Sequence, residues 1–294
     1  MTIPSGSILA SALVSGVLLG GLFAVTALGL SLVFGVMRLV NLAHGELVVL
    51  GAYLALELSR HAGLDPLLTI PVAAAALFIL AVPVHRVLLE PLMARGPEPA
   101  LITTFALSVI AQNLFIVIWS GDTQTLQASY ATGSVAVAGI RVPVTYLISF
   151  GIALALAVAV HLLLRRTGFG RQIRASSEDE EAAAALGVNV ARVHALVFGL
   201  AAACAAIGGV LVGVTFDFTP TTGITYLISG FAVVVLGGLG SVQGTVYGAV
   251  LLGVAESVGA AFFGDGYRDF IGFAAFLVVL SLRPQGLFGR VLPR

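Results

Sequence analysis

Apolar residues run through this chain in long stretches separated by short polar connections. The stretches fall at about 8–36, 40–58, 66–89, 99–119, 143–164, 193–216, 226–240, 245–263 and 268–283. They are continuous and do not alternate at period two, so they predict helices rather than barrel strands. About 20 helical residues cross the hydrocarbon of a bilayer at 1.5 Å per residue. On that measure 8–36 is long for one crossing. Residues 226–240 are short, end in glycines, and suit a half-helix or re-entrant segment. The pattern predicts an all-α, polytopic transmembrane helical bundle of 8–10 spans with some broken or re-entrant helices, forming a single domain over 1–294.

Composition agrees and narrows the chemistry. Of 294 residues, 59% are hydrophobic and 10% charged, whereas a soluble domain carries about 25% charged residues. All basic residues are arginine. A phosphate-binding P-loop needs a lysine, so a conventional P-loop ATPase is excluded. The segment GGLGSVQG at 237–244 does not keep the spacing of a dinucleotide fingerprint, and its glycines read as close helix packing. Cys204 is the sole cysteine, which excludes an internal disulfide and a thiolate metal cluster. The N-terminus lacks the basic region of a cleaved signal peptide and is expected to stay in the mature protein.

Arginine placement predicts orientation. Arg86 and Arg95, then Arg165, Arg166, Arg171, Arg174 and Arg192, then Arg290 and Arg294 fall in three of the linkers. The linker 120–142 holds only Arg141, and 217–225 holds none. The positive-inside rule places the loop 165–192 and the C-terminus in the cytoplasm. It places 120–142 outside, where turn residues and short β-branched runs suggest a hairpin around Ser134–Ile140.

Three carboxylates lie in or near apolar spans: Glu46, Glu57 and Glu256. Such groups normally face a bundle interior, a partner or a wet cavity. Glu57 is close to Arg60 and fits an interfacial position. The segment NLAHGE puts Asn41, His44 and Glu46 between two apolar runs. They could form a proton relay, a network holding a helix break, or a helix start capped by Asn41. Successive side chains fan out by about 100° on a helix, so His44 and Glu46 make a poor isolated relay. Substrate path and structural network stay open for them and for Glu256. The other histidines, His61, His85, His161 and His194, lie near span ends, and no metal site is expected. The glycines at 16 and 20, 209 and 213, and 240, 244 and 248 have the spacing that lets helix backbones approach. Gly237, Gly238, Gly240 and Gly244 predict a broken or tightly crossed helix pair, whose free backbone groups would suit a zwitterion.

The longest polar segment is RRTGFGRQIRASSEDEEAAAALGVNVAR at 165–192. Ser177 and Glu180 fit a capping box, Glu178, Asp179 and Glu180 fill a first turn, and Gly187 is a natural stop. The expected helix, 178–186, is too short to be stable alone in water. It needs the ends of its own bundle or a partner protein.

This loop with the following span, GRQIRASSEDEEAAAALGVNVARVHALVFGLAAACAAIGGVLVG, resembles the coupling segment of bacterial branched-chain amino acid ABC importer permeases. The resemblance extends to GLSLVFGVMRLVNLAHGELVVLGAYLA, LITTFALSVIAQNLFIVIW, FAVVVLGGLGSVQGTVYGAVLLGVAESVGAAF and GYRDFIGFAAFLVVLSLRPQGLFGR, in the expected order. The NxAHGE segment, the GRxxRA…LG loop and the RPxGLFG ending are jointly specific. It implies a non-enzymatic translocation subunit of the bacterial inner membrane, carrying branched-chain or related neutral amino acids. It implies that Arg171, Arg174, Ala175, Asp179, Ala183, Leu186 and Gly187 touch the ATPase. It also implies a second related permease, two ATP-binding subunits that use ATP and Mg, and a periplasmic substrate-binding protein. This chain would hold no cofactor and bind no nucleic acid, and its arginines could also meet lipid headgroups. The alternatives are an ABC permease for urea or short amides, and a proton- or sodium-coupled carrier using His44, Glu46 and Glu256.

Overall fold

A computed structural model describes residues 6–137, 140–283 and 286–287. Arg290 and Arg294, on which part of the C-terminal orientation rests, lie outside the described residues. Each of the nine apolar stretches forms helix. The first is one unbroken helix, α1 (Gly6–Met37), about 48 Å long at 1.5 Å per residue and longer than a bilayer core is thick. Then follow α2 (His44–Ala62), a 3₁₀ turn, and α3 (Ile70–Val84). Pro83, which has no N–H to give, precedes a π-helical turn at His85–Leu89 that leads into α4 (Glu90–Met93).

Next come α5 (Pro97–Trp119), the strands β1 (Ser134–Val137) and β2 (Ile140–Pro143), and α6 (Val144–Arg166). The polar loop forms α7 (Gly168–Glu178) and α8 (Glu180–Ala185). The chain continues with α9 (Val190–Thr215), α10 (Gly223–Gly237), α11 (Val242–Phe263) and α12 (Arg268–Leu282).

Among the described residues, six helical segments are long and apolar enough to cross a membrane: α1, the run from Pro66 to Met93, α5, α6, α9 and α11. The reading of 8–10 spans also draws on three further helices, α2, α10 and α12, of which α10 is the stretch already read as short for a crossing. Of these, α2 carries Glu46, Glu57 and Arg60, and α10 and α12 have only 15 residues each.

The inner bundle is built on α1 and α9. The first packs against α6, α9, α10 and α11, and the second against α1, α2 and α3. Glycine makes these contacts backbone to backbone. A Cβ on Gly20 would stand 2.5 Å from the Val250 Cα, and one on Gly209 would overlap the Val48 carbonyl.

One end is closed by the hairpin expected near Ser134–Ile140. There β1 and β2 pair antiparallel with Val135 opposite Val142, and the turn residues 138–139 lie outside the described set. The Leu126 N–H donates to the Gly213 carbonyl at 2.8 Å, and Gln124 pairs with Phe218. Both anchor this linker on the end of α9, where Tyr53 stacks on Trp119 at 4.4 Å and meets Phe218 edge-on at 5.1 Å. The Tyr130 hydroxyl donates to Asp65 at 2.8 Å. Burial, then that bond and the Asp65 charge, push the Tyr130 pKa up.

The loop helix differs from its sequence reading. Ser177 does not cap it. It lies in the last turn of α7 and donates to the Arg174 carbonyl at 2.9 Å. The cap of α8 is Asp179, whose carboxylate accepts from the Ala182 N–H at 2.9 Å. The segment GRQIR is helical because Thr167 caps it, accepting from the Gly170 N–H at 2.9 Å, while Ile173 turns inward. Two short helices joined at Asp179 thus replace the single helix expected over 178–186.

Candidate functional site

The connection from α1 to α2 brings the chain back into the bundle before helix resumes. His44, the first residue of α2, places its Nε2 2.8 Å from the Thr26 carbonyl of α1. Thr26 lies about 16 Å back along α1 from Met37, at 1.5 Å per residue. The N-terminus of α2 is therefore well inside the bundle. Asn41 steadies this entry by accepting from the Ala43 N–H at 3.1 Å. It is not the helix cap, which is Ala43 and makes no side-chain bond.

A second helix starts at the same place. Gly223, the first residue of α10, lies so close to Gly45 that a Cβ on Gly45 would overlap its carbonyl. The Glu46 carboxylate sits against it: a Cβ on Gly223 would be 2.6 Å from Oε2 and 2.7 Å from Oε1. Glu46 thus occupies the first turn of α2 beside the start of α10. Free backbone N–H groups and the helix dipole favour negative charge at both positions. The Ser108 hydroxyl of α5 donates to Oε1 at 3.3 Å, while Oε2 is buried without a partner.

Glu46 and Asn41 also line a cavity of about 250 Å³ between α2, α3, α5 and α9. The remainder of its wall is apolar and includes Leu50, Leu80, Ile110, Phe115 and Phe198. A carboxylate at one edge and hydrocarbon around the rest is chemistry that can hold an ammonium group with an aliphatic side chain attached.

The remaining sequence-predicted residues do not join this site. His44 bonds to α1 and Glu46 to α5, so the two point apart and form no relay. Glu256 is buried on α11 against Gly272 of α12, with Arg268 and Asp269 as its charged neighbours. Gly237 and Gly244 press backbone to backbone across the α10–α11 turn, and Gly240 meets Gly35 of α1. Leu287 seals this corner by donating its N–H to the Leu236 carbonyl at 2.9 Å, beside Gly238 and Gly286. That glycine cluster is at the other end of α10, about 21 Å from Gly223 at 1.5 Å per residue. Its backbone groups are packed together, and the open helix ends are those at Gly45 and Gly223.

In the loop, Arg171, Arg174, Asp179, Leu186 and Gly187 are exposed, Ala175 is half-buried, and Ala183 is buried in the chain itself. Leu186 is 85% exposed, an uncovered apolar side chain next to Gly187, whose φ of 87° ends the helix. The Arg174 guanidinium donates to the Leu164 carbonyl.

Sequence reasoning missed Thr26, Ser108 and Gly223. A signal did exist for Ser108. Thr104 and Ser108 stand four apart on an apolar helix, and Thr104 accepts from the Leu42 N–H at 3.3 Å while Ser108 reaches Glu46. They share the face that α5 turns toward the NLAHGE segment.

Helix starts that meet at a buried carboxylate inside a membrane bundle are an arrangement that α-helical transport proteins use. Residues 12–280 match the family described as branched-chain amino acid transport system, permease component. Among its relatives is the high-affinity branched-chain amino acid transport system permease protein BraD of Pseudomonas aeruginosa, 32% identical over 95% of both chains. LivH of Escherichia coli K12 is 31% identical over 94% of both chains. LivM of the same organism is 28% identical over 93% of this chain and 69% of its own. The fold resembles a chain of PsaBC from Streptococcus pneumoniae solved with a Fab, with TM-score 0.50, 14% identity, and coverage of 92% and 91%. The chain belongs to the branched-chain amino acid permease family. It is a multi-pass inner-membrane permease subunit of an ABC importer, a translocation component rather than a catalyst, and part of a multi-subunit system.

Proposed function

We propose that this chain, a single permease domain, carries leucine, isoleucine and valine across the membrane, and that the Glu46 cavity is a station on the path. The observation that carries the reading is the unpartnered Oε2 of Glu46 beside an apolar cavity, at the meeting point of two helix N-termini. The substrate ammonium pairs with Oε2, its aliphatic side chain fills the cavity, and its carboxylate finds backbone N–H groups at a helix start. The names of the relatives BraD and LivH support the same solute class.

The loop 165–192 lies in the cytoplasm, as the arginine distribution argues. Through it the chain docks one of two ATP-binding subunits, with Arg171, Arg174, Asp179, Leu186 and Gly187 on the contact surface. Ala175 and Ala183 support that surface from within, since Ala183 is 3% exposed. A second, related permease completes the path, which fits the presence of both LivH and LivM in one organism. This chain takes the LivH position, because it spans 94% of LivH and only 69% of LivM. A periplasmic binding protein delivers the solute.

The test is uptake by the complete assembly in vesicles. ATP-dependent uptake of leucine is expected, with Glu46→Gln folding normally and transporting far less. Uptake by this chain alone, driven by a proton gradient without ATP, would sink the importer reading. ATP-driven uptake of urea but not leucine would overturn the solute while leaving the transporter class intact. For the loop, Leu186→Asp is expected to lose co-purification of the ATP-binding subunits without unfolding the bundle. Normal recovery of those subunits would make the loop a linker only.

A further inference from the structure

A second cavity, of about 490 Å³, lies under the loop, between the end of α1, the α4–α5 junction and the starts of α8 and α9. It is separate from the Glu46 cavity, and its size is within the ~300–1,000 Å³ range of small-molecule sites. Two histidines form part of its lining, His85 at 0% exposure and His194 at 6%. Both ring nitrogens of His85 and the Nε2 of His194 have no hydrogen-bond partner. The rings stand 6.4 Å apart, edge to face. The nearest carboxylate to His194 is Glu180 of α8, at 3.8 Å and beyond hydrogen-bond reach. Buried polar groups without partners are rare in native proteins, and each calls for something to satisfy it.

The rest of the lining describes what that something is. Arg38 supplies a cation, and Glu90 and Glu180 supply two carboxylates. Met37, Met93 and Val190 supply apolar wall between them. No group of three or more metal-ligating side chains occurs among the described residues, so the histidines do not point to a cation site. Charges of both signs around an apolar patch match a small zwitterion with an aliphatic side chain. A zwitterion offers a group to each sign, whereas an anion or a cation alone engages only one of them.

We propose that this cavity is a second binding site, for a neutral aliphatic amino acid entering from the loop side of the membrane. Its carboxylate meets Arg38, its ammonium meets Glu90 and Glu180, and the two imidazoles complete the hydrogen bonding. Because Glu180 stands on α8 while Glu90 and Arg38 stand on the bundle, the bound ligand ties the coupling loop down. Accumulated product then slows further import. The proposal rests on the solute class and loop orientation argued above.

The experiment uses the complete transporter in vesicles, with ATP and L-leucine on the loop side. Leucine there is expected to lower the initial rate of uptake, and L-glutamate is not. In vesicles without internal leucine, Glu90→Gln is expected to transport at the wild-type rate, and with internal leucine to escape inhibition. Equilibrium dialysis of L-leucine against the complex without its binding protein gives a second reading. Glu90→Gln should weaken binding about tenfold, the lower end of what a hydrogen bond to a charged group contributes, and Met93→Trp, which fills the cavity, should do the same. Equal uptake with and without internal leucine, or binding that neither variant changes, overturns the proposal. If the wild type imports no leucine at all, the solute assignment fails, and the dialysis comparison still decides whether this site holds an amino acid.

Discussion

Helices α9 and α5 are both long and apolar enough to cross a membrane, yet they have opposite surroundings. In the most apolar window of α9, 78% of the residues are buried within the chain, against 11% for α5. The difference is glycine. Helix α9 carries Gly199, Gly208, Gly209 and Gly213, while α5 has none. Lipid tails are as apolar as leucine, so hydrophobicity cannot choose which helices pack together in a bilayer. Close backbone approach and polar contacts can. Helix α6 supports the point from the other side: its one glycine, Gly151, faces open space, and its window is 17% buried.

Instead, α5 is held by side-chain hooks. Thr104 takes the Leu42 N–H, Ser108 reaches Glu46, and the Trp119 Nε1–H donates to Glu57 at 2.7 Å. A helix fastened by a few polar bonds beside a cavity can shift with little repacking, and a helix welded at glycines cannot. The first arrangement suits the wall of a path and the second suits its frame.

The largest expected effect separates the two directly. Gly209→Leu drives a side chain into the Val48 carbonyl and should cost ~3 kcal/mol or more, the upper range for overpacking. Gly151→Leu, at an open position, should change stability by no more than ~0.5 kcal/mol. Thermal unfolding of the two variants in detergent checks the contrast, and equal losses would remove glycine contact as its cause.

Next is the hook at Glu46. Glu46→Leu leaves Ser108 without its acceptor and should destabilise by ~1–3 kcal/mol, whereas Glu46→Gln keeps an oxygen there and should cost less. Melting midpoints measured beside uptake would distinguish a group that only holds α5 from one that also meets substrate. Equal tolerance of both changes would remove Glu46 from the network.

Smaller still is the loop cap. Asp179→Ala should cost α8 about 1 kcal/mol of local stability, while Ser177→Ala, outside the cap, should leave α8 unchanged. Amide exchange at Ala182 and Ala183 reports the difference. The smallest effect is expected at Trp119→Phe, which gives up the bond to Glu57 for about 0.5 kcal/mol, since that carboxylate is partly in solvent. A larger loss would mean that the C-terminal end of α5 is part of the frame.

Much of this was legible from the chain. Apolar stretches of membrane length and glycines four apart specify a helical membrane bundle, and the resemblance carried by the NLAHGE and GRQIRASSEDEE segments implied a permease. Their meaning depends on local composition and spacing, and solvent or lipid enforces it wherever the segments finally lie. The hairpin at 134–143 was legible for the same reason, because turn residues and β-branched runs act locally. The sequence also marked Glu46 as unusual but not what it meets. Its partners, Ser108 and Gly223, come from helices distant in the chain, and only the bundle brings α5 and the start of α10 to the start of α2. The cap of α8 moved from Ser177 to Asp179 because Thr167 and the buried Ile173 extended α7 up to Glu178. Two capping signals competed, and packing chose between them. The glycines at 237–244 fitted either a broken or a tightly crossed helix pair, and tertiary contact made it the tightly crossed one. A glycine leaves backbone bare, but whether another backbone or a ligand covers it depends on which helix arrives there.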